Sequence, residues 1–204
     1  MTEPAEPRES AAAPVRPRVL VITGPSGVGK GTLIQELLRR LPELELSVSA
    51  TTRPPRSGEV DGRDYHFLDP DEFERRARAG EFLEHAVYAG NRYGTLRSEL
   101  RRAPEGIVLE IEVQGARQVR EALPEAVLVF IAPPSPEVLR ERLIGRGTDS
   151  PEEIRRRLEQ AECELAAQDE FQHVIVNDDL SRAAAELSDL VATMWPRPNR
   201  EAET

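Results

Sequence analysis

The chain has 204 residues, 39% hydrophobic and 31% charged, with a formal net charge of −10. At this length one generous domain, or one core with a small insertion, is expected, and the apolar share excludes global disorder. With 27 basic against 37 acidic residues, no uniformly basic surface exists to hold nucleic acid through counterion release.

Residues 1–17 place Pro4, Pro7, Pro14 and Pro17 among Ala and Glu with no apolar periodicity, so a disordered tail is expected there. The same segment lacks the cationic and apolar stretches of an export signal, and a single cysteine, Cys163, cannot form an intrachain disulfide. A cytoplasmic setting is expected. The longest apolar run, Ala126 to Ala132, is far shorter than the roughly 18 residues of a membrane helix, so no membrane association is expected.

Val19-Leu20-Val21-Ile22 is a β-branched run without polar alternation and reads as a strand buried on both faces of a parallel sheet. After a glycine-rich turn, Leu33, Ile34, Leu37, Leu38 and Leu41 recur at helical spacing until Pro42 ends the pattern. Further strands are predicted at Leu44–Val48, Ile107–Ile111, Ala126–Ile131 and His173–Val176, with helical crossovers between them, so the fold class is α/β with a parallel sheet core. Helix starts are marked by Asp69-Pro70 with Glu72, Ser135-Pro136, and Ser150-Pro151 with Glu153. A last helix from about Asp179 should pack through Ala183, Leu187, Leu190, Val191 and Met194. Between Ser49 and about Gly106 short aromatic pieces and turn residues replace the βα pattern, which predicts an inserted subdomain.

The turn after the first strand reads Gly24-Pro25-Ser26-Gly27-Val28-Gly29-Lys30 and opens a helix. Glycines there let successive backbone N–H groups converge on an anion, and a lysine adds a compact charge between the β- and γ-phosphates of a nucleotide. Lys30 is the only lysine in the chain. Gly31 stands where the general motif has a hydroxyl, which arrives one residue later at Thr32. Mg²⁺ is therefore expected to be held mainly through phosphate oxygens and water.

In the inserted segment Arg53 and Arg56 lie among prolines and Tyr65 follows. Two guanidinium forks and a phenol suit a phosphate monoester, because arginine binds phosphate bidentately and tyrosine adds a neutral donor. Taken alone, two arginines near prolines read as a solvated loop; beside a phosphate loop the balance reverses in favour of a clamp. His66, His85 and His173 show no zinc-ligand spacing with Cys163.

Over about residues 18–195 the sequence resembles guanylate kinases. The likeness rests on the loop at 24–32, Ser49 to Arg56, Tyr65, Glu84, Asn91-Arg92-Tyr93-Gly94, Gln114-Gly115, Ile131 to Ser135, Gly145-Arg146-Gly147-Thr148 and Val176-Asn177-Asp178. The resemblance implies a phosphate-loop nucleoside monophosphate kinase spanning 18–198, with a GMP-binding subdomain at about 49–106, a mobile lid at about 140–160 and a flexible C-terminus at 199–204. It implies transfer of the ATP γ-phosphoryl group to GMP, and to dGMP, with Mg²⁺ accompanying ATP. Gly24 to Thr32 and Asn177 would then bind ATP. Arg53, Arg56, Tyr65 and Tyr93 would hold the GMP phosphate, and Ser49, Glu84, Thr95 and Glu112 would address guanine. Lys30, Arg53 and the lid arginines Arg142, Arg146 and Arg157 would be catalytic.

For Glu84 the chemistry agrees, since guanine presents N1–H and its 2-amino group side by side and one carboxylate accepts both. At 110 and 112 the chain reads Glu-Ile-Glu where the family often has aspartates. Two other readings stay open at this stage: a catalytically weak guanylate-kinase-like peptide-binding module, and a related kinase acting on a ribose phosphate.

Overall fold

The structure, a computed structural model, describes residues 18–103, 105–145 and 151–195. The expected tail at 1–17, the C-terminus at 199–204, the lid arginine Arg146 and the capping residue Ser150 lie outside the described residues.

The chain runs β1 (Val19–Thr23), α1 (Lys30–Arg40), β2 (Glu45–Leu46), β3 (Ala50–Thr51), β4 (His66–Phe67), α2 (Pro70–Arg78), β5 (Phe82–Tyr88) and β6 (Asn91–Leu96). It continues through α3 (Glu99–Arg102), β7 (Ile107–Glu110), α4 (Val113–Ala122), β8 (Val127–Ala132), α5 (Pro136–Ile144), α6 (Pro151–Ala166), β9 (His173–Val176) and α7 (Leu180–Met194).

Five strands form a parallel sheet in the order β2-β7-β1-β8-β9. Side chains alternate between its faces as a two-residue period demands. Leu20, Ile22, Val129 and Ile131 join Leu33, Ile34 and Leu37 of α1 and Ala183, Leu187 and Val191 of α7 in one core layer. Val19, Val21, Leu109 and Phe130 join Val113, Ala116 and Val119 of α4 in the other. With both faces covered, the strands are the continuous apolar runs seen in the sequence.

Two expectations need correction. The second strand spans Glu45–Leu46 rather than Leu44–Val48, because Leu44 closes a turn onto Leu41 and the chain departs toward the inserted sheet after Ser47 bonds Val108. Met194 is exposed, because the buried stripe of α7 advances by four residues through Ala183, Leu187 and Val191 to Trp195, which packs on the core instead.

The inserted region forms a second sheet, β4-β3-β6-β5. Its small core holds Ala50, Phe73 of α2, Phe82 and Leu96, with the Phe73 and Phe82 rings stacked 4.4 Å apart. Asp69 caps α2 through a 2.8 Å bond from the Glu72 N–H and Ser135 caps α5, as the sequence pattern predicts, and Asp179 also caps α7.

Candidate active site

In a parallel sheet the carboxyl ends of the strands all open on one edge, and a crevice forms where neighbouring connections diverge. Here that edge carries the loop after β1, Glu110 to Glu112 after β7, and Asn177 after β9. It faces the inserted sheet across a cleft of about 380 Å³.

On the sheet side, backbone geometry dictates the loop's glycines. Gly24 has φ 135°, and a Cβ there would lie 2.2 Å from the Ile131 carbonyl oxygen. Gly29 has φ 97° and precedes α1, and its Cβ would lie 2.7 Å from the Asn177 amide nitrogen. Neighbouring elements pin the loop. The Val28 carbonyl accepts from Asn177 Nδ2 at 2.8 Å and from Arg142 Nη1 at 3.2 Å, while Arg142 Nη2 donates to the Asn177 carbonyl at 3.0 Å. Val28 itself is buried.

Lys30 folds back so that Nζ donates to the carbonyls of Gly24 at 2.6 Å and Pro25 at 3.2 Å. The start of α1 has no side-chain cap and no acid in its first turn, so its N–H groups and dipole are directed at an anion. Ser26, Gly27, Gly29, Lys30, Gly31 and Thr32 line an adjoining hollow of about 240 Å³ together with Glu110. Glu110 Oε2 lies 3.9 Å from where a Cβ on Gly31 would stand. Carboxylate and hydroxyl oxygens beside a phosphate loop suit Mg²⁺, which binds through one or two such groups and keeps much of its water. Among the described residues no cluster of three or more His, Cys, Asp or Glu forms a cage for a metal.

On the opposite side, Tyr65 and Tyr93 line the cleft with their rings 6.2 Å apart. Arg53 sits behind them. Its guanidinium makes a two-pronged pair with Glu59 at 2.8 and 3.0 Å and lies 5.3 Å from the centre of the Tyr65 ring. The pair raises the Arg53 pKa above its ordinary value and lowers that of Glu59. Arg56 is exposed, and its backbone N–H donates to Glu59 at 2.6 Å. Glu59 thus organises the whole arginine loop, a role the sequence did not reveal.

Glu84 forms the floor. An irregularity between Phe82 and Glu84 breaks the alternation of β5, so three consecutive residues are buried. Phe82 enters the small core, Leu83 enters the main core, and Glu84 points into the cleft opposite its ladder partner Thr95. Gln118 of α4 clasps the strand through His85, donating to its carbonyl at 2.8 Å and accepting from its N–H at 3.1 Å. Glu84 is 3% exposed, and neither its Oε1 nor the Thr95 hydroxyl has a hydrogen-bond partner. Burial pushes the Glu84 pKa up to about 7, and the nearby Glu112 carboxylate adds to the push. A buried carboxylate oxygen with no donor aimed at it marks a surface shaped for something else.

Glu112 lines the cleft while its oxygens cap α4, accepting from Gly115 N at 2.8 Å and Gln114 N at 3.1 Å. Gly115 is needed for contact reasons, since a Cβ there would come within 2.4 Å of Glu84 Oε2. Ser49 also lines the cleft, and Arg157 on α6 is half-buried with its charge felt at Tyr88.

The cleft therefore brings together Gly24, Ser26, Lys30, Ser49, Tyr65, Glu84, Tyr93 and Glu112. Arg142 and Asn177 act on the loop from behind, and Arg53 acts through Tyr65 and Glu59. Other polar residues that line the cleft lay outside the predicted set, among them Ser47, Tyr88 and Glu164, while Glu110 was noted in the sequence only as standing where the family often has an aspartate. Glu110 alone had a local signal, an acid at a strand end.

A sequence model described as guanylate kinase matches residues 16–194. A guanylate kinase of Frankia casuarinae is 58% identical over 82% of this chain and 92% of its own. One of Rhodococcus jostii is 50% identical over 100% of both chains. The crystal structure of guanylate kinase from Anaplasma phagocytophilum superposes with a TM-score of 0.73 at 34% identity, covering 90% of this chain and 88% of that one.

Proposed function

The chain belongs to the guanylate kinase family, and from that membership we propose how its cleft divides the work of moving a phosphoryl group from ATP to GMP. It is a nucleotide kinase whose products are ADP and GDP. The observation that carries the assignment of residues is the junction, within one cleft, of an anion-directed loop and a buried carboxylate with an unpartnered oxygen.

Transfer between phosphates leaves a protein little covalent chemistry, so catalysis rests on alignment and on neutralising the charge of the moving group. The loop from Gly24 to Thr32 holds the phosphates of ATP, with Asn177 and Arg142 fixing its Val28 carbonyl. Lys30 exchanges its two loop carbonyls for phosphate oxygens when ATP binds. Tyr65 and Tyr93 donate to the GMP phosphate, and Arg53 and Arg56 supply the positive field there. Glu84 accepts the N1–H and 2-amino donors of guanine, with Ser49, Thr95 and Glu112 completing the wall. Adenine presents an acceptor at N1 and would leave that wall unpaired. Arg157, together with Arg146, neutralises charge on the transferred group from the lid. Glu110 and Thr32 would hold Mg²⁺ with phosphate oxygens and water, and the ion would offset the charge on the β- and γ-phosphates.

The same proposal includes a cytoplasmic setting, supported by the lone exposed Cys163. Neither a peptide-binding module nor a ribose phosphate kinase is favoured: both the phosphate loop and Glu84 are in place, and the relatives are guanylate kinases at 50–58% identity.

ADP release is to be measured with GMP, dGMP, AMP, UMP and ribose phosphates as acceptors. Fast release with GMP and little with AMP, UMP or ribose phosphates supports the reading. No release with any acceptor, or equal release with GMP and AMP, refutes it.

A further inference from the structure

Glu164 lies near the C-terminal end of α6, and nothing in its sequence surroundings marks it as functional. It is 5% exposed and lines the cleft. Its Oε1 accepts from Gln160 Nε2 at 3.2 Å, while its Oε2 is buried and has no hydrogen-bond partner. A buried carboxylate oxygen without a donor costs free energy, so its retention calls for a ligand that supplies one.

Its position along the cleft narrows the donor. At one end stand the base-facing residues Glu84 and Glu112, and at the other the phosphate loop with Ser26 and Lys30. Glu164 lines the same cleft as both groups; burial raises its pKa and the Glu112 carboxylate adds to the rise, while the Gln160 hydrogen bond, the Lys30 ammonium and the Ser26 backbone N–H oppose it. Tyr88 lines the same cleft, and burial first and the Glu164 carboxylate next raise the pKa of its phenol. A nucleoside monophosphate spanning the cleft with its base at Glu84 and its phosphate at Tyr65 and Tyr93 has its sugar in the middle. Phosphate oxygens are acceptors and cannot satisfy a carboxylate. Guanine spends its donor pair on Glu84. Sugar hydroxyls are the donors that remain, and carboxylates bind them well.

We propose that Glu164 is a sugar-reading residue, its Oε2 accepting a hydrogen bond from the ribose 2′-hydroxyl of the acceptor nucleotide, so that GMP is preferred over dGMP. The proposal rests on the reading of this cleft as the GMP site. It makes dGMP a poorer substrate because the deoxy sugar leaves the buried oxygen as unpaired as in the empty protein.

The test compares kcat/KM for GMP and dGMP in wild type, Glu164→Ala and Glu164→Gln, with calorimetric binding of each nucleotide in the absence of ATP. The wild type should favour GMP by roughly 10- to 100-fold, the range expected of one hydrogen bond to a charged group. Glu164→Ala should lower GMP use by about that factor and dGMP use by less than about threefold, so the preference collapses in both kinetics and binding. Glu164→Gln fills the same volume and keeps one acceptor oxygen, so part of the preference should survive; it is the variant to read should the alanine protein not fold. Equal losses for the two nucleotides in either variant, or a wild type indifferent to the 2′-hydroxyl, would overturn the inference and assign Glu164 to holding Lys30 and the loop. Failure of the underlying reading looks different, since the wild type alone would then release ADP no faster with GMP than with AMP.

Discussion

Replacing Glu84 with glutamine should stabilise the empty protein at alkaline pH while harming its use of GMP. Burial raises the folded-state pKa to about 7 from an ordinary 4.5, so between these values the folded chain binds more protons than the unfolded one. Stability then falls as the pH rises through that window, and the loss is complete above the folded pKa. The gap between 4.5 and about 7, at about 1.36 kcal/mol per pH unit, amounts to about 3 kcal/mol at pH 8. Glutamine is neutral at every pH and escapes this loss. At ~2–4 °C per kcal/mol for a domain of this size, Glu84→Gln should melt roughly 6–12 °C above wild type at pH 8 and level with it near pH 4.5. Melting curves of both proteins from pH 4.5 to 8.5 make the comparison. A second readout follows from the same titration. Guanine needs the ionised carboxylate, so GMP binding at pH 6 should release more protons from wild type than from Glu84→Gln, by up to about one, measured calorimetrically in buffers of different ionisation enthalpy. A melting difference that does not vary with pH, or identical proton release, would refute the reasoning.

Lys30→Met should reduce ADP formation with GMP by at least about 100-fold with little change in melting temperature, since Nζ bonds the loop carbonyls of Gly24 and Pro25 rather than filling the core. Turnover within a few-fold of wild type would show that the loop does not act through this lysine. Gly115→Ala places a Cβ within 2.4 Å of Glu84 Oε2, and displacing that carboxylate should lower kcat/KM for GMP by at least about tenfold. Unimpaired GMP use in steady-state assays would mean that Glu84 is free to move without cost.

The first βα unit and its loop were legible because their signals are local: a β-branched run, glycines at fixed spacing, and a helical stripe ended by Pro42. The caps at Asp69 and Ser135 were legible for the same reason. The start of α4 was not, because a glutamate caps it, outside the usual set of Ser, Thr, Asp and Asn. The brevity of β2 depends on where the chain must leave one sheet for another, which no local pattern encodes. The floor of the site was read at Glu84 through family likeness and donor chemistry, but the irregularity that aims it inward belongs to strand pairing. Glu59 looked like one acid among many in a turn until folding placed it under Arg53. Glu164 became visible only when α6 packed against the cleft, because an orphaned oxygen is a property of tertiary burial.

Selection of guanine by Glu84 is tested most directly by kcat/KM for GMP and for AMP in wild type and Glu84→Gln. An amide turns one donor toward the guanine donor pair, and the buried mismatch should cost about 2–4 kcal/mol, or roughly 30- to 1,000-fold in kcat/KM for GMP. AMP has no donor pair at that edge and should change by less than about threefold. Equal losses for the two nucleotides would contradict the assignment and leave Glu84 as a residue that positions the inserted sheet.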